Sequence, residues 1–241
     1  MCPRQPRTHF RTGENDISNT SDVISRQIAF FSRATIDGST VQAALSQARV
    51  VLVGDGAVAE HTATGVNAAG MRSVRLGASD FSVDTAAGAA CVLVSLDSPS
   101  PAVLETVNSA SLKGGWPWIP GRIELGVGMI GPTVIPGQSA CYRCFELRRQ
   151  ANLTSQPASH PAAEGDAAAA AGPLAACVGS LLALEAVRLV SGFAQPQSIG
   201  RIMLLDFFAP EISSRRILRL PNCPDCGYGS RRLPAIPVAG A

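Results

Sequence analysis

Four of the seven cysteines stand in two C-x-x-C pairs, Cys141-Tyr-Arg-Cys144 and Cys223-Pro-Asp-Cys226. That spacing lets both sulfurs of a pair point one way, at about 2.3 Å from a shared metal ion. Two such pairs close a tetrahedron with no open coordination position, which is the donor set of a structural zinc ion rather than a catalytic one. Gly227 follows the second pair and permits the tight backbone of a knuckle. The competing chemistry is thiol redox. A redox C-x-x-C sits just after a strand and opens a helix; the first pair fits that context, and the second is then left without a reason. A zinc ion held by Cys141, Cys144, Cys223 and Cys226 is therefore expected to tie the middle of the chain to its end. Cys91 and Cys177 lie in apolar runs and read as buried thiols, and Cys2 falls in a polar N-terminal stretch. His9, His61 and His160 have no spaced partner and read as surface residues.

A second pattern is Gly54-Asp55-Gly56-Ala57-Val58-Ala59, a G-x-G-x-x-A run placed between a strand-like and a helix-like segment. In a nucleotide-binding loop, positions such as Gly54, Gly56 and Ala59 let the backbone approach phosphates at a helix start. Two features oppose binding here. Asp55 brings a carboxylate into the loop that would cradle a polyanion. The acid expected at the end of the second strand is also missing, since the chain reads Leu76-Gly77-Ala78 and the next acids are Asp80 and Asp84. A retained fold with its ligand lost and a working nucleotide site both stay open.

The elements around these motifs follow from periodicity and punctuation. Residues 50–53 and 90–95 are continuous apolar runs, the mark of strands buried on both faces of a parallel sheet, and 73–76 reads as another strand. Helices are expected over 40–47 (capped by Ser39), 57–69 (ended by Gly70), 102–113 (opened by Pro101, stopped by Gly114) and 173–190. Short β segments are expected over 122–125 and 129–135, and a charged helix runs from the first cysteine pair to Gln150. Residues 151–172, rich in Ala, Pro and Ser, read as a surface crossover loop. Two antiparallel strands are expected over 201–208 and 215–220. The fold class is α/β: a Rossmann-like, mostly parallel sheet with flanking helices, antiparallel C-terminal strands and a Cys₄ zinc knuckle. Three regions are expected: a disordered segment over 1–26, one domain over 27–228, and a frayed tail over 229–241.

Composition bounds the function. With 46% apolar and 16% charged residues the chain is globular. A net charge of +2 and the lack of basic runs argue against nucleic acid. The most apolar long run, 174–190, contains Glu185 and Arg188, so it reads as a core helix rather than a membrane span. No secretory signal is recognisable, and the expected location is the cytoplasm.

The order strand–G-x-G loop–helix, then Gly131-Pro-x-x-x-Pro-Gly-x-x-x-Cys-x-x-Cys144, then a late C-x-x-C, resembles the ubiquitin-activating-enzyme-like superfamily that includes ThiF and MoeB. The stretch 131–149 is the most specific part. It is similar to the divergent branch found with bacteriocins and other thiazole- and oxazole-modified peptides, as are 97–118, 174–190 and 220–227. The resemblance implies a partner of a YcaO-type cyclodehydratase that also binds the precursor (leader) peptide, and it makes a two-fold homodimer an expectation. Active adenylating members carry an acid at the end of the second strand and then Asn-x-x-Arg; here the chain reads Gly77-Ala-Ser-Asp-Phe-Ser-Val-Asp84 instead. Asp97 stands where such members hold a magnesium-binding aspartate; its plain alternative is a cap for the helix that follows Pro99. The branch often opens with a winged-helix module, which is expected to be truncated or missing here, so that leader capture is expected to need a partner's help. The reading is a non-catalytic scaffold. The alternatives are an ATP- and magnesium-dependent adenylyltransferase acting on a peptide or protein C-terminal carboxylate, and an unrelated Rossmann-type oxidoreductase.

Overall fold

A computed structural model describes residues 20–34, 37–154, 172–208 and 211–227. Two short helices lead in, α1 (Thr20–Ser32) and α2 (Gly38–Gln47). Then follow β1 (Arg49–Val53), α3 (Ala57–Ala68), β2 (Arg72–Leu76), β3 (Cys91–Leu96), α4 (Pro101–Gly114), β4 (Trp118–Glu124) and β5 (Val127–Ile130). The chain continues through α5 (Tyr142–Thr154), α6 (Gly172–Ser191), β6 (Arg201–Asp206) and β7 (Ile212–Arg216).

The strands form one seven-stranded sheet in the order β2-β1-β3-β4-β5-β6-β7. The first four are parallel, and β4 through β7 pair antiparallel. The expected mixed, mostly parallel Rossmann-like sheet is what the chain forms. Side chains alternate between two apolar layers. Val50 and Leu52 of β1 face α1, α2, α3 and α6 on one side, while Val51 and Val53 face α4, α5 and the cysteine knuckles on the other. Chain direction across the sheet reverses between β1 and β3, and their carboxyl ends carry Gly54 and Asp97. Such a switch point is where open α/β sheets form their ligand crevice.

Local chemistry sets the helix limits. The Asp37 carboxylate accepts the amides of Ser39 and Thr40 at the start of α2. Hydrogen bonds from the Ser39 and Thr40 hydroxyls, joined by the backbone, hold its pKa down at about 2. The cap is thus Asp37, two residues earlier than the expected Ser39. Helix α4 has Pro at its first turn, and Gly115 closes it in the left-handed conformation, φ 75°. Gln27 and Gln42 donate to the carbonyls of Ala68 and Ala69, so α1 and α2 hold the end of α3.

Several expectations need correction. Residues 20–26 are not loose: they are the first half of α1. Helix α5 continues through 151–154, where a loop was expected. β4 starts at Trp118 and β5 ends at Ile130, earlier than the expected 122 and 135. β7 covers Ile212–Arg216, not 215–220; the apolar run Ile217-Leu218 leads the chain away from the sheet edge toward the knuckles. Cys177 is exposed, because the apolar stripe of α6 runs through Leu174, Ala175, Val178 and Leu182 and leaves Cys177 on its flank. Helix α6 is the one described helix long and apolar enough to cross a membrane, and half of it is buried in the molecule. The residues expected as loose N-terminus up to 19, most of the crossover loop and the tail from 229 lie outside the described residues, as do Cys2, His9 and His160.

Candidate functional site

Two places in the fold carry chemistry. The first is the cysteine cluster. Cys141 stands just before α5 and Cys144 lies within its first turn, where the Cys144 amide donates to the Cys141 carbonyl at 3.1 Å. Cys223 and Cys226 form the second turn, closed by the Gly227 amide on the Cys223 carbonyl at 2.8 Å. A Cβ on Gly227 would sit 2.7 Å from the Cys223 nitrogen, which is why the knuckle needs glycine there. The two turns meet. Cys141 Sγ lies 3.8 Å from Cys144 Sγ and 3.6 Å from Cys223 Sγ, and Cys144 Sγ lies 3.5 Å from Cys226 Sγ. All four sulfurs are within 4.8 Å of one another and all four residues are buried. A tetrahedron with metal–sulfur bonds of about 2.3 Å has edges of about 3.8 Å, so the donor set fits a single metal ion. The Leu220 amide points at Cys144 Sγ at 3.4 Å. Donation from the Cys141 thiol, aided by that amide, lowers the Cys144 thiol, and the same hydrogen bond raises Cys141. One sulfur of the cluster is thus biased toward the thiolate that metal binding requires.

The second place is the glycine loop at the switch point. Gly54 and Gly56 have φ of 133° and 93°, open only to glycine, and Ala59 is fully buried where α3 meets the sheet. The start of α3 has no cap from its own Gly56. Asp97 supplies one from the end of β3: its carboxylate accepts the Ala57 amide at 2.9 Å and the Val58 amide at 2.8 Å. The expected alternative of a helix cap is therefore met at α3 and not at α4, whose Ser100 makes no side-chain cap bond. A Cβ on Gly56 would collide with that carboxylate. Asp55 turns outward, 80% exposed, toward Arg75 Nη2 at 3.8 Å, and Arg75 Nε donates to the Gly54 carbonyl at 3.1 Å. Where an acid was sought at the end of β2, an arginine braces the loop.

Some groups around these sites carry no sequence signal. Arg122 on β4 is only 2% exposed, lies 3.6 Å from Glu124, and faces the Phe145 ring at 5.5 Å. Arg149 links Glu124 and Glu146 beside it. Next to this cluster a groove of about 620 Å³ runs between α5 and the antiparallel strands. Met129, Ile202 and Leu204 form its apolar floor, and Arg148, Arg215 and Arg216 its rim. Among the described residues those three arginines make no ion pair.

Comparison with known proteins agrees with this architecture. The chain is 28% identical over 127 residues to the molybdopterin-synthase adenylyltransferase of Escherichia coli, covering 52% of this chain and 47% of that protein. It spans between 30% and 52% of the length of the curated relatives it matches. Among solved structures, E. coli MccB with ATP superposes with a TM-score of 0.66 at 16% identity, over 86% of this chain and 74% of that one. The heterocyclase TruD superposes with a TM-score of 0.57 at 20% identity, over 83% of this chain and 30% of that one. These two likenesses are of fold. The model of the ThiF family matches residues 76–226, a stretch that holds Asp97 and all four clustered cysteines and starts after the glycine loop. By that match the chain belongs to the ThiF family.

Proposed function

We propose that this protein is a non-catalytic, zinc-stabilised scaffold that binds a precursor peptide and partners a YcaO-type cyclodehydratase in making azole-modified ribosomal peptides. The observation that carries the reading is Asp97. Its carboxylate takes the two amides at the start of α3 that a nucleotide phosphate would use. Asp55 of the same loop turns outward toward Arg75, so the carboxylate that an entering polyanion would have to displace is that of Asp97. TruD, a heterocyclase, and MccB, described as a microcin C7 biosynthetic enzyme in complex with N-formylated MccA, share the fold. They support a place in peptide modification.

For the metal, Cys141, Cys144, Cys223 and Cys226 would hold zinc, which supplies a closed structural cross-link. For the peptide, the groove beside α5 is the seat we favour. Its apolar floor accepts alternate side chains of an extended segment, and Arg148, Arg215 and Arg216 select one that carries carboxylates.

The second reading, an ATP-dependent adenylyltransferase, is favoured by the relatives of that name. It requires the Asp97 carboxylate to leave the α3 amides. Calorimetric titration with ATP and Mg²⁺ decides between the two. The scaffold reading expects no saturable binding up to millimolar nucleotide; micromolar binding that Asp97→Ala abolishes would overturn it.

A further inference from the structure

We infer that Asn108 is the residue that sets the two cysteine knuckles in register for the metal. The inference rests on the metal reading above and extends it to a helix that contributes no ligand. Asn108 lies in the middle of α4, 1% exposed. Its Oδ1 accepts the amide of Tyr142, the residue after Cys141 in the first knuckle, at 3.0 Å. Its Nδ2 donates to Oδ2 of Asp225, the residue before Cys226 in the second knuckle, at 2.8 Å. One primary amide therefore touches both metal-binding turns, which lie 34 and 117 residues away in sequence.

The chemistry singles out asparagine. A backbone N–H can only donate and an ionised carboxylate can only accept, so the two partners fix which end of the amide faces which turn. Aspartate has the same shape and keeps the acceptor for Tyr142. It loses the donor and sets two carboxylates against each other. Leucine keeps the volume and leaves the Tyr142 amide unsatisfied beside the cluster. The position on a long helix matters as well: one turn earlier on the same face, Glu105 pairs with Arg143 at 3.2 Å, so α4 grips the first knuckle twice. Groups that orient ligand-bearing turns in this way commonly change metal affinity by roughly 10–100-fold when removed.

The test uses the full chain loaded with Co²⁺. The readouts are the absorption of the cobalt–thiolate centre and the rate at which a chelator removes the metal. Asn108→Asp is expected to release metal roughly 10–100-fold faster than wild type, with an altered cobalt spectrum. The exchanged pair, Asn108→Asp with Asp225→Asn, places one donor and one acceptor back between α4 and the second knuckle. It is expected to return the release rate to within a few-fold of wild type. A single variant that releases metal at the wild-type rate overturns the inference, and so does an exchanged pair no better than the single variant; either leaves the metal reading standing. Wild-type protein that binds neither Co²⁺ nor Zn²⁺ removes both. Should Asn108→Asp not fold, Asp225→Ala, at an exposed position, carries the same expectation of faster release.

Discussion

Among the described residues a cysteine does one of three things, and its surroundings decide which. Cys141, Cys144, Cys223 and Cys226 converge, with three sulfur pairs 3.5 to 3.8 Å apart and all four sulfurs within 4.8 Å of one another. Cys91 sits alone inside β3, where burial pushes its thiol up to about 12 and makes it inert. Cys177 faces outward from α6. Substitutions should sort accordingly. Cys141→Ser replaces a thiolate by a poor zinc ligand and is expected to cost on the order of 3 kcal/mol or more, about 10 °C in Tm, with loss of bound zinc. Cys177→Ser should stay within about 0.5 kcal/mol of wild type. Thermal melts paired with metal analysis check both, and a Cys141→Ser protein that melts like wild type with its metal retained would end the Cys₄ assignment. These four residues were legible in the sequence because C-x-x-C spacing is local and thiol chemistry is specific. Asp97 was legible only as a candidate, since the amides it caps lie 39 and 40 residues away and belong to a different helix from the one beside it. Asn108 left no trace in the sequence at all: a lone asparagine in a helix has no pattern until the fold supplies its partners.

At the scale of elements, the helices α3 and α6 pack tightly against each other, and small residues are the reason. A Cβ on Gly179 of α6 would lie 2.7 Å from His61 Cβ, 2.8 Å from the Thr62 nitrogen and 2.9 Å from the Val58 carbonyl oxygen. Two of those three are backbone atoms of α3, which cannot rotate aside. Gly65 of α3 faces Ala183 in the same way, its added Cβ falling 2.7 Å from Ala183 Cβ. Gly179→Val should therefore push α6 off α3 and destabilise by about 1–3 kcal/mol, which corresponds to roughly 2–12 °C in Tm. Gly192→Ala, just past the end of α6, has open space around its Cβ and is strained only by its φ of 66°, so it should cost less, about 1 kcal/mol. Equal losses for the two variants in the same melt would mean that the α3–α6 contact is looser than drawn. Element type was readable because β1 and β3 are unbroken apolar runs and α4 and α6 are bracketed by Pro and Gly. Strand limits in the antiparallel half were not. Ile217-Leu218-Arg219-Leu220 looks like a strand, yet Ile217 and Leu220 serve the packing between the sheet and the knuckles, and Leu218 is exposed.

For the whole molecule, the two layers differ in what holds them. On the α3–α6 side the sheet is covered by a broad apolar core that reaches from Phe31 to Met203. The other side has an apolar core of its own, which includes Phe145 and Ile217. There α5 and the segment 217–227 also meet through the four sulfurs and two polar links, Arg148 Nε to the Leu218 carbonyl at 2.9 Å and the Leu220 amide to Cys144 Sγ. Within the segment, Arg219 donates to the Cys226 carbonyl. Removing a metal ion from that side takes away the tie between two chain regions while leaving β1, β3 and their apolar neighbours in contact. Binding free energy at such a site is folding free energy only for the parts it joins. Hydrogen exchange with and without a strong chelator should show this. Amides of residues 142–150 and 217–227 are expected to exchange roughly 100-fold faster after metal removal, whereas those of β1 and β3 should change far less. If the central strands lose protection to the same degree, the cross-link supports the entire sheet, and the α3–α6 core is too weak to stand without it. If neither region changes, the knuckles are held by packing alone, and the four cysteines have no metal to lose.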